Sequence, residues 1–232
     1  MSLPATLSEH TLERLATALD LRTGEDVPLT SPMSPAPVGR LRVLRPAAGE
    51  VAKVVAVSLV VPPIGLDSHM IFAFTRSGSA TPHFTLDAVA SADHHALHLD
   101  LIPRADLAVH LPYLDLCFSP LTEPLEESWR IDGLSPAAVG PRRRAMMSPW
   151  MLVCRATQEA FAKLDPTVDA YLTHWLALLA SDVPVPPGAD PAGRDRANRA
   201  NLFSPGVDPV WHQVGRLLGA EQAERVRGEL LT

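Results

Sequence analysis

The sequence predicts an α+β fold in which helices cover a central antiparallel sheet, and three observations carry that expectation. Between residues 40 and 102, segments with the period-2 alternation of a pleated strand follow one another directly. The turns joining them are too short to hold a crossover helix, which favours an antiparallel meander over parallel βαβ units. After Pro112 the pattern changes to apolar residues at helical spacing.

Taken in order, Ser8 is placed to cap an opening amphipathic helix that carries Leu12, Leu15, Ala16 and Leu19 on one face. Residues 24–38, rich in Pro, Ser and Thr, read as an extended loop. Strands are expected at 40–44, 51–61, 69–76, 82–90 and 95–102. Helices follow at 113–118, 158–164 and 166–180, the last with Asp165 as its cap and Pro166 in its first turn. Pro184, Pro186, Pro187 and Pro191 then break the chain. A last helix spans about 209–231, capped by Asp208, and Gly215, Gly219 and Gly228 weaken it enough to divide it in two. A single domain over 1–232 accommodates all of this.

Hydrophobic residues at 47% and charged residues at 20% are those of a folded globular chain. A formal charge of −6 argues against nucleic-acid binding, which calls for a basic face, although Arg142, Arg143 and Arg144 with Arg130 and Arg155 form a local basic patch. That run reads equally as a solvated loop or a docking surface. Cys117 and Cys154 are the only cysteines and belong to no ligand motif, so neither a disulfide framework nor a cysteine metal centre is expected. No apolar run approaches a membrane span and no leader pattern opens the chain, which makes the cytoplasm the expected location. Gly-x-Gly-x-x-Gly, Walker and Gly-x-Ser-x-Gly sequences are absent.

The richest segment for chemistry is residues 82–115. In its first strand Phe84, Leu86 and Ala88 share one face, and His83, Thr85, Asp87 and Val89 share the other. In the second, Leu97, Leu99 and Leu101 alternate with Ala96, His98 and Asp100. A hairpin loop of two or four residues places Asp87 opposite His98 and Thr85 opposite Asp100. Such a polar face either meets water, as on many antiparallel sheets, or forms one wall of a site. In a site, a carboxyl held against an apolar ligand loses hydration and its pKa rises toward general-acid territory, with His98 able to share or relay the proton. His83, His94 and His95 are expected in turns or facing solvent. His83, Asp87, His98 and Asp100 also make a nitrogen–oxygen donor set, but no spacing here is diagnostic of a metal and none is assigned. Trp211 lies near the start of the last helix, where it lines either the core or a pocket.

The order Pro82-x-Phe84-x-x-Asp87, a short polar hairpin, Leu99-Asp100-Leu101-Ile102-Pro103-Arg104-x-Asp106-Leu107 and Pro112-Tyr113-Leu114 resembles the ferredoxin-dependent bilin reductases. Its second half also resembles red chlorophyll catabolite reductase. Asp208 to Trp211, Leu218-Gly219-Ala220-Glu221 and Glu224-Arg225 extend the resemblance to the C-terminal helices. The resemblance implies a three-layer α/β/α sandwich with an open-chain tetrapyrrole held between sheet and C-terminal helices. It implies no tightly bound cofactor, with single electrons arriving from reduced ferredoxin and protons from site acids. Asp87 matches the family's central aspartate and Asp208 its acidic residue near the last helix. The histidine that faces the aspartate in phycocyanobilin-forming members falls on Met70, with His69 beside it, and the glutamate used for vinyl reduction falls on Ser58. An odd register in the 77–81 connection would put His69, not Met70, on the face of Asp87.

The sequence therefore leads to a ferredoxin-dependent reductase of a linear tetrapyrrole, with Asp87, Asp208 and His98 as its chemical groups. His69, Met70, His83, Thr85, Asp100 and Trp211 are its expected substrate-lining residues. A tetrapyrrole-binding protein without turnover, and a reductase of a different conjugated substrate on the same scaffold, are the alternatives.

Overall fold

A computed structural model describes residues Met1–Thr232. The chain opens with helix α1 (Leu3–Leu19) and then lays down six strands in succession: β1 (Leu21–Ser31), β2 (Ser34–Pro46), β3 (Val51–Val61), β4 (Leu66–Thr75), β5 (His83–Ala90) and β6 (His95–Ile102). Next come α2 (Leu111–Cys117), α3 (Thr122–Ser128), β7 (Leu134–Pro136), the short α4 (Pro141–Arg144), β8 (Leu152–Ala156) and α5 (Gln158–Phe161). Four helices end the chain: α6 (Asp165–Ser181), α7 (Pro191–Leu202), α8 (Val210–Leu218) and α9 (Ala220–Leu231).

The eight strands form one antiparallel sheet in the order β1-β2-β3-β4-β5-β6-β8-β7. The row Ala56, Ile71, Leu86, Leu99 and Leu152 runs across one face and packs on Leu12 and Leu15 of α1 and Leu172 and Trp175 of α6. The buried indole of Trp175 donates to the Pro82 carbonyl at 2.8 Å, so its one polar atom is satisfied within the core. On the opposite face Leu41, Val55, Val57, Phe72 and Phe74 pack against Leu202, Phe203, Trp211, Leu217, Val226 and Leu230 of the C-terminal layer. Two apolar clusters, one on each side of the sheet, give the three-layer α/β/α sandwich.

Three local expectations are corrected. Residues 24–38 are not a loop but most of the β1–β2 hairpin, turned between Ser31 and Ser34. Pro28 lies on the edge strand, while Pro35 and Pro37 precede the point at which β2 begins to pair with β3, so no proline has to donate to both sides of a ladder. The opening helix is capped by Ser2, whose side chain accepts from the Ala5 amide, and Ser8 is buried within it. Asp165 sits inside the first turn of α6, with Leu164 at the cap. Strands β7 and β8 and helices α3, α4 and α7 are additional to the expected elements. The last helix does divide, at Gly219, whose φ of 80° suits glycine. No helix is long and apolar enough to cross a membrane.

Candidate active site

The site begins with the β5–β6 hairpin. Its four-residue loop between Ala90 and His95 has even parity, which pairs Asp87 with His98 and Thr85 with Asp100. The 76–82 connection pairs Met70 with Asp87, and Met70 packs against the C-terminal apolar cluster. One row of side chains on the C-terminal-helix face therefore reads Leu41, Val57, Met70, Asp87, His98 and Val153. It is apolar on β2 to β4 and ionisable on β5 and β6.

Over this ionisable end, residues 137–144 and the loop before α8 form a roof. The Ala137 amide donates to the Val153 carbonyl at 2.9 Å, which ties the start of the roof to β8. From α4, Arg143 donates through Nη1 to Asp208 Oδ2 at 2.9 Å and through Nη2 to His98 Nδ1 at 3.1 Å. Asp208 also accepts from the Val210 amide at 3.1 Å, which anchors it at the start of α8. Beneath the roof is a cavity of about 490 Å³ lined by Asp87, His98, Arg143, Asp208, Val139 and Val153 among others. A second hollow of about 520 Å³ shares Ala137, Val139 and Val153 with it and continues toward Met147 and Trp129. Both volumes fall in the roughly 300–1,000 Å³ range of small-molecule sites.

Asp87 Oδ1 and His98 Nε2 are buried without a hydrogen-bond partner, and so is Thr85 Oγ1 two residues along β5. Leaving such atoms unpaired costs on the order of 1–3 kcal/mol each. Of the three residues, Asp87 and His98 line the cavity and Thr85 does not. Burial pushes the Asp87 carboxyl up to about 6, with Arg143 opposing the rise and Asp208 adding to it. Burial and the Arg143 charge together press His98 down to about 3, so its ring is neutral. The surface-hairpin reading is set aside, because Thr85, His98 and Asp100 are all buried.

Asp100 does not open into the cavity. Its carboxylate accepts from the Ser148 amide at 3.0 Å and the Ser148 hydroxyl at 2.6 Å, and burial still pushes it up to about 7. His83 lies on the same face of β5 but belongs to a separate cluster. It is buried, not in a turn or facing solvent, with Nδ1 accepting from the Thr75 amide at 3.0 Å and Nε2 2.7 Å from Asp195 Oδ1. Burial first, and then the Arg104 and Arg199 charges, hold its pKa down at about 4 despite Asp195. His69 pairs with Ala88 on the opposite face and contacts Asp67 Oδ1 at 2.7 Å, so it does not join Asp87. Ser58 shares that opposite face, and Val57 takes the place beside Met70. Trp211 is packed edge-on against Phe203 in the apolar cluster, away from the cavity wall. No group of three or more His, Cys, Asp or Glu side chains is arranged to hold a metal ion.

Sequence reasoning missed Arg143 as a site residue. The three-arginine run was visible, but only the fold lays its middle member across His98 and Asp208.

No protein-family model and no curated protein sequence matches the chain. Among solved structures it is similar to phytochromobilin synthase from tomato, determined in complex with biliverdin, with a TM-score of 0.72 at 16% identity. The likeness covers 96% of this chain and 80% of that one. The sandwich implied by the sequence resemblance is thus the fold of this chain.

Proposed function

We propose that this protein reduces a linear tetrapyrrole, using single electrons from a reduced ferredoxin-class protein and protons from Asp87 and Asp208. The observation that carries the reading is the pairing of Asp87 with His98 across β5 and β6, both in the lining of a roofed cavity on the sheet. The fold likeness to a biliverdin-bound phytochromobilin synthase supports the ligand class.

A two-electron reduction needs two electron transfers and two protons. Asp87, with its carboxyl pushed up to about 6, holds a proton in a useful fraction of molecules near neutrality and releases it to a ligand radical that has gained basicity. The carboxylate left behind faces the nearby Arg143 charge, which limits the cost of burying it. His98 offers a fixed hydrogen-bond donor to a ligand oxygen, and Asp208, the other carboxyl group lining the cavity, is the route for the second proton. The row beside Asp87 carries Met70 and Val57, neither of which can exchange a proton, so all proton supply falls on the β5–β6 side and the roof.

The test is anaerobic mixing with biliverdin and reduced ferredoxin, followed by visible absorbance. Asp87→Asn should bind biliverdin nearly as wild type does and lose turnover by about 10²-fold or more. No bilin turnover by the wild type with ferredoxin would overturn the reductase reading. Tight binding with no consumption of electrons would instead support a carrier, which the proton-inert Met70 and Val57 positions favour.

A further inference from the structure

We propose that Arg143 is a positioning residue that selects the Nε2–H tautomer of His98, making that histidine a permanent hydrogen-bond donor that cannot act as a proton relay. The use made of that donor rests on the reductase reading above, but the tautomer itself does not.

A guanidinium has only donors, so the His98 Nδ1 that lies 3.1 Å from Arg143 Nη2 must present its lone pair. A neutral imidazole then carries its one proton on Nε2. That nitrogen is buried, has no protein partner, and stands on the same wall as the unpaired Asp87 Oδ1. A second proton on Nδ1 would set N–H against N–H and add positive charge beside Arg143. While Arg143 is in place, His98 therefore gives a hydrogen bond but takes up no proton.

Arg143 is itself held by Asp208, at 2.9 Å. The charged or titratable groups around His98 are Asp87 on β5, Arg143 on α4 and Asp208 ahead of α8. Two residues farther along their strands on the same face are Arg155, which is exposed, and Asp100, which is engaged by Ser148. None of these other than Arg143 touches Nδ1. Loss of Arg143 frees Nδ1 and leaves two carboxyl groups nearby, which raises the proton affinity of the ring against the opposition of its burial. Arg143 thereby leaves the exchangeable protons of this wall to its carboxyl groups, of which Asp87 lines the cavity.

Long-range ¹H–¹⁵N correlation of the histidine rings in the ligand-free protein tests this, with His98 assigned by its loss in His98→Asn. The wild type should show a bare Nδ1 and a protonated Nε2, with no titration between about pH 5 and 8, where ordinary histidines titrate. Arg143→Met should give mixed tautomers and raise the His98 midpoint by at least about one pH unit, and Arg143→Lys, which keeps a donor, should restore the single tautomer. A protonated Nδ1 in the wild type, or an Arg143→Met ring that behaves as the wild type does, would overturn the proposal. Should Arg143→Met fail to fold, the wild-type tautomer and Arg143→Lys decide the matter. With biliverdin and reduced ferredoxin, Arg143→Met should add an ionisation to the pH profile of kcat that Arg143→Lys lacks. Absence of all bilin turnover would remove the reductase reading, and the ring measurement alone would then decide the role of Arg143.

Discussion

Two clusters of histidine, aspartate and arginine occupy the same face of β5, four residues apart and so about 13 Å from each other. At the start of the strand, His83 meets Asp195, Arg104 and Arg199, and at its middle Asp87 meets His98, Arg143 and Asp208. The first cluster closes around its carboxylate and imidazole, and only Arg104 Nε and Arg199 Nη1 at its margin lack a partner. Asp195 Oδ1 contacts His83 Nε2 at 2.7 Å and accepts from Arg199 at 2.8 Å, Arg104 reaches the Arg76, Ser77 and Pro191 carbonyls, and Arg199 lies over the Phe74 ring. The second leaves a carboxylate oxygen and an imidazole nitrogen unpaired in two residues that line a cavity. The same residue types thus differ in one respect: the aspartate and histidine of the first cluster bond to each other, and those of the second do not.

The largest test of this contrast removes the centre of the first cluster. Burial works to raise the Asp195 pKa, but hydrogen bonds from His83 and Arg199 and the Arg104 charge carry it below the usual carboxylate range. Asp195→Ala leaves two buried guanidinium groups without their counter-charge and should cost about 3–5 kcal/mol, a large part of a domain's stability. Urea unfolding measures it. A loss below about 1 kcal/mol would mean that this cluster does not anchor α7 to the sheet.

That α7 escaped sequence reasoning has the same physical cause. Its Arg-Asp-Arg-Ala-Asn-Arg stretch shows no apolar stripe, because the residues it buries are Asp195 and Arg199, and their partner His83 lies 112 positions from Asp195. The sheet was legible from β3 to β6, where apolar alternation and short turns determine pairing, and so was the Asp87–His98 pair, which needed only the parity of one loop. The β1–β2 hairpin was hidden by prolines that sit where the ladder is one-sided. Arg143 was illegible as a site residue because a run of arginines looks the same on a solvated loop as over a cavity. Its role depends on where α4 comes to rest.

A second test asks whether the open cluster carries a cost in stability. The folded-state pKa of Asp87, about 6, lies above its ordinary value of 3.8, so between those values the folded chain holds a proton that the unfolded chain has released. The stabilisation is complete below about pH 4 and is lost as pH rises through about 6. Asp87→Asn carries no such proton. Relative to wild type it should gain roughly 3 kcal/mol of stability between pH 4 and pH 8, since each tenfold change in proton affinity is worth about 1.4 kcal/mol. Denaturation midpoints at a series of pH values give the difference, and a flat difference would show that Asp87 is not desolvated. A stabilised variant that has lost turnover is the outcome expected of a residue kept for chemistry.

The finest contrast uses two threonines that are both fully buried. Thr75 belongs to the first cluster, where its hydroxyl donates to the Thr81 carbonyl at 2.8 Å and accepts from Arg104 Nη1 at 3.0 Å. Thr85 lies two residues before Asp87 on the same face of β5, and its hydroxyl has no partner. Valine has nearly the same shape as threonine, so each replacement removes a hydroxyl and little else. Thr75→Val should lose about 2 kcal/mol, because a carbonyl and a guanidinium N–H are left unmatched in the interior. Thr85→Val should gain about 1 kcal/mol, because a buried hydroxyl with nothing to bond is replaced by a methyl group beside Phe72. Opposite signs from one substitution at two sites in neighbouring strands separate closed bonding from open bonding without reference to any ligand. Equal signs would place Thr85 in a hydrogen bond of its own.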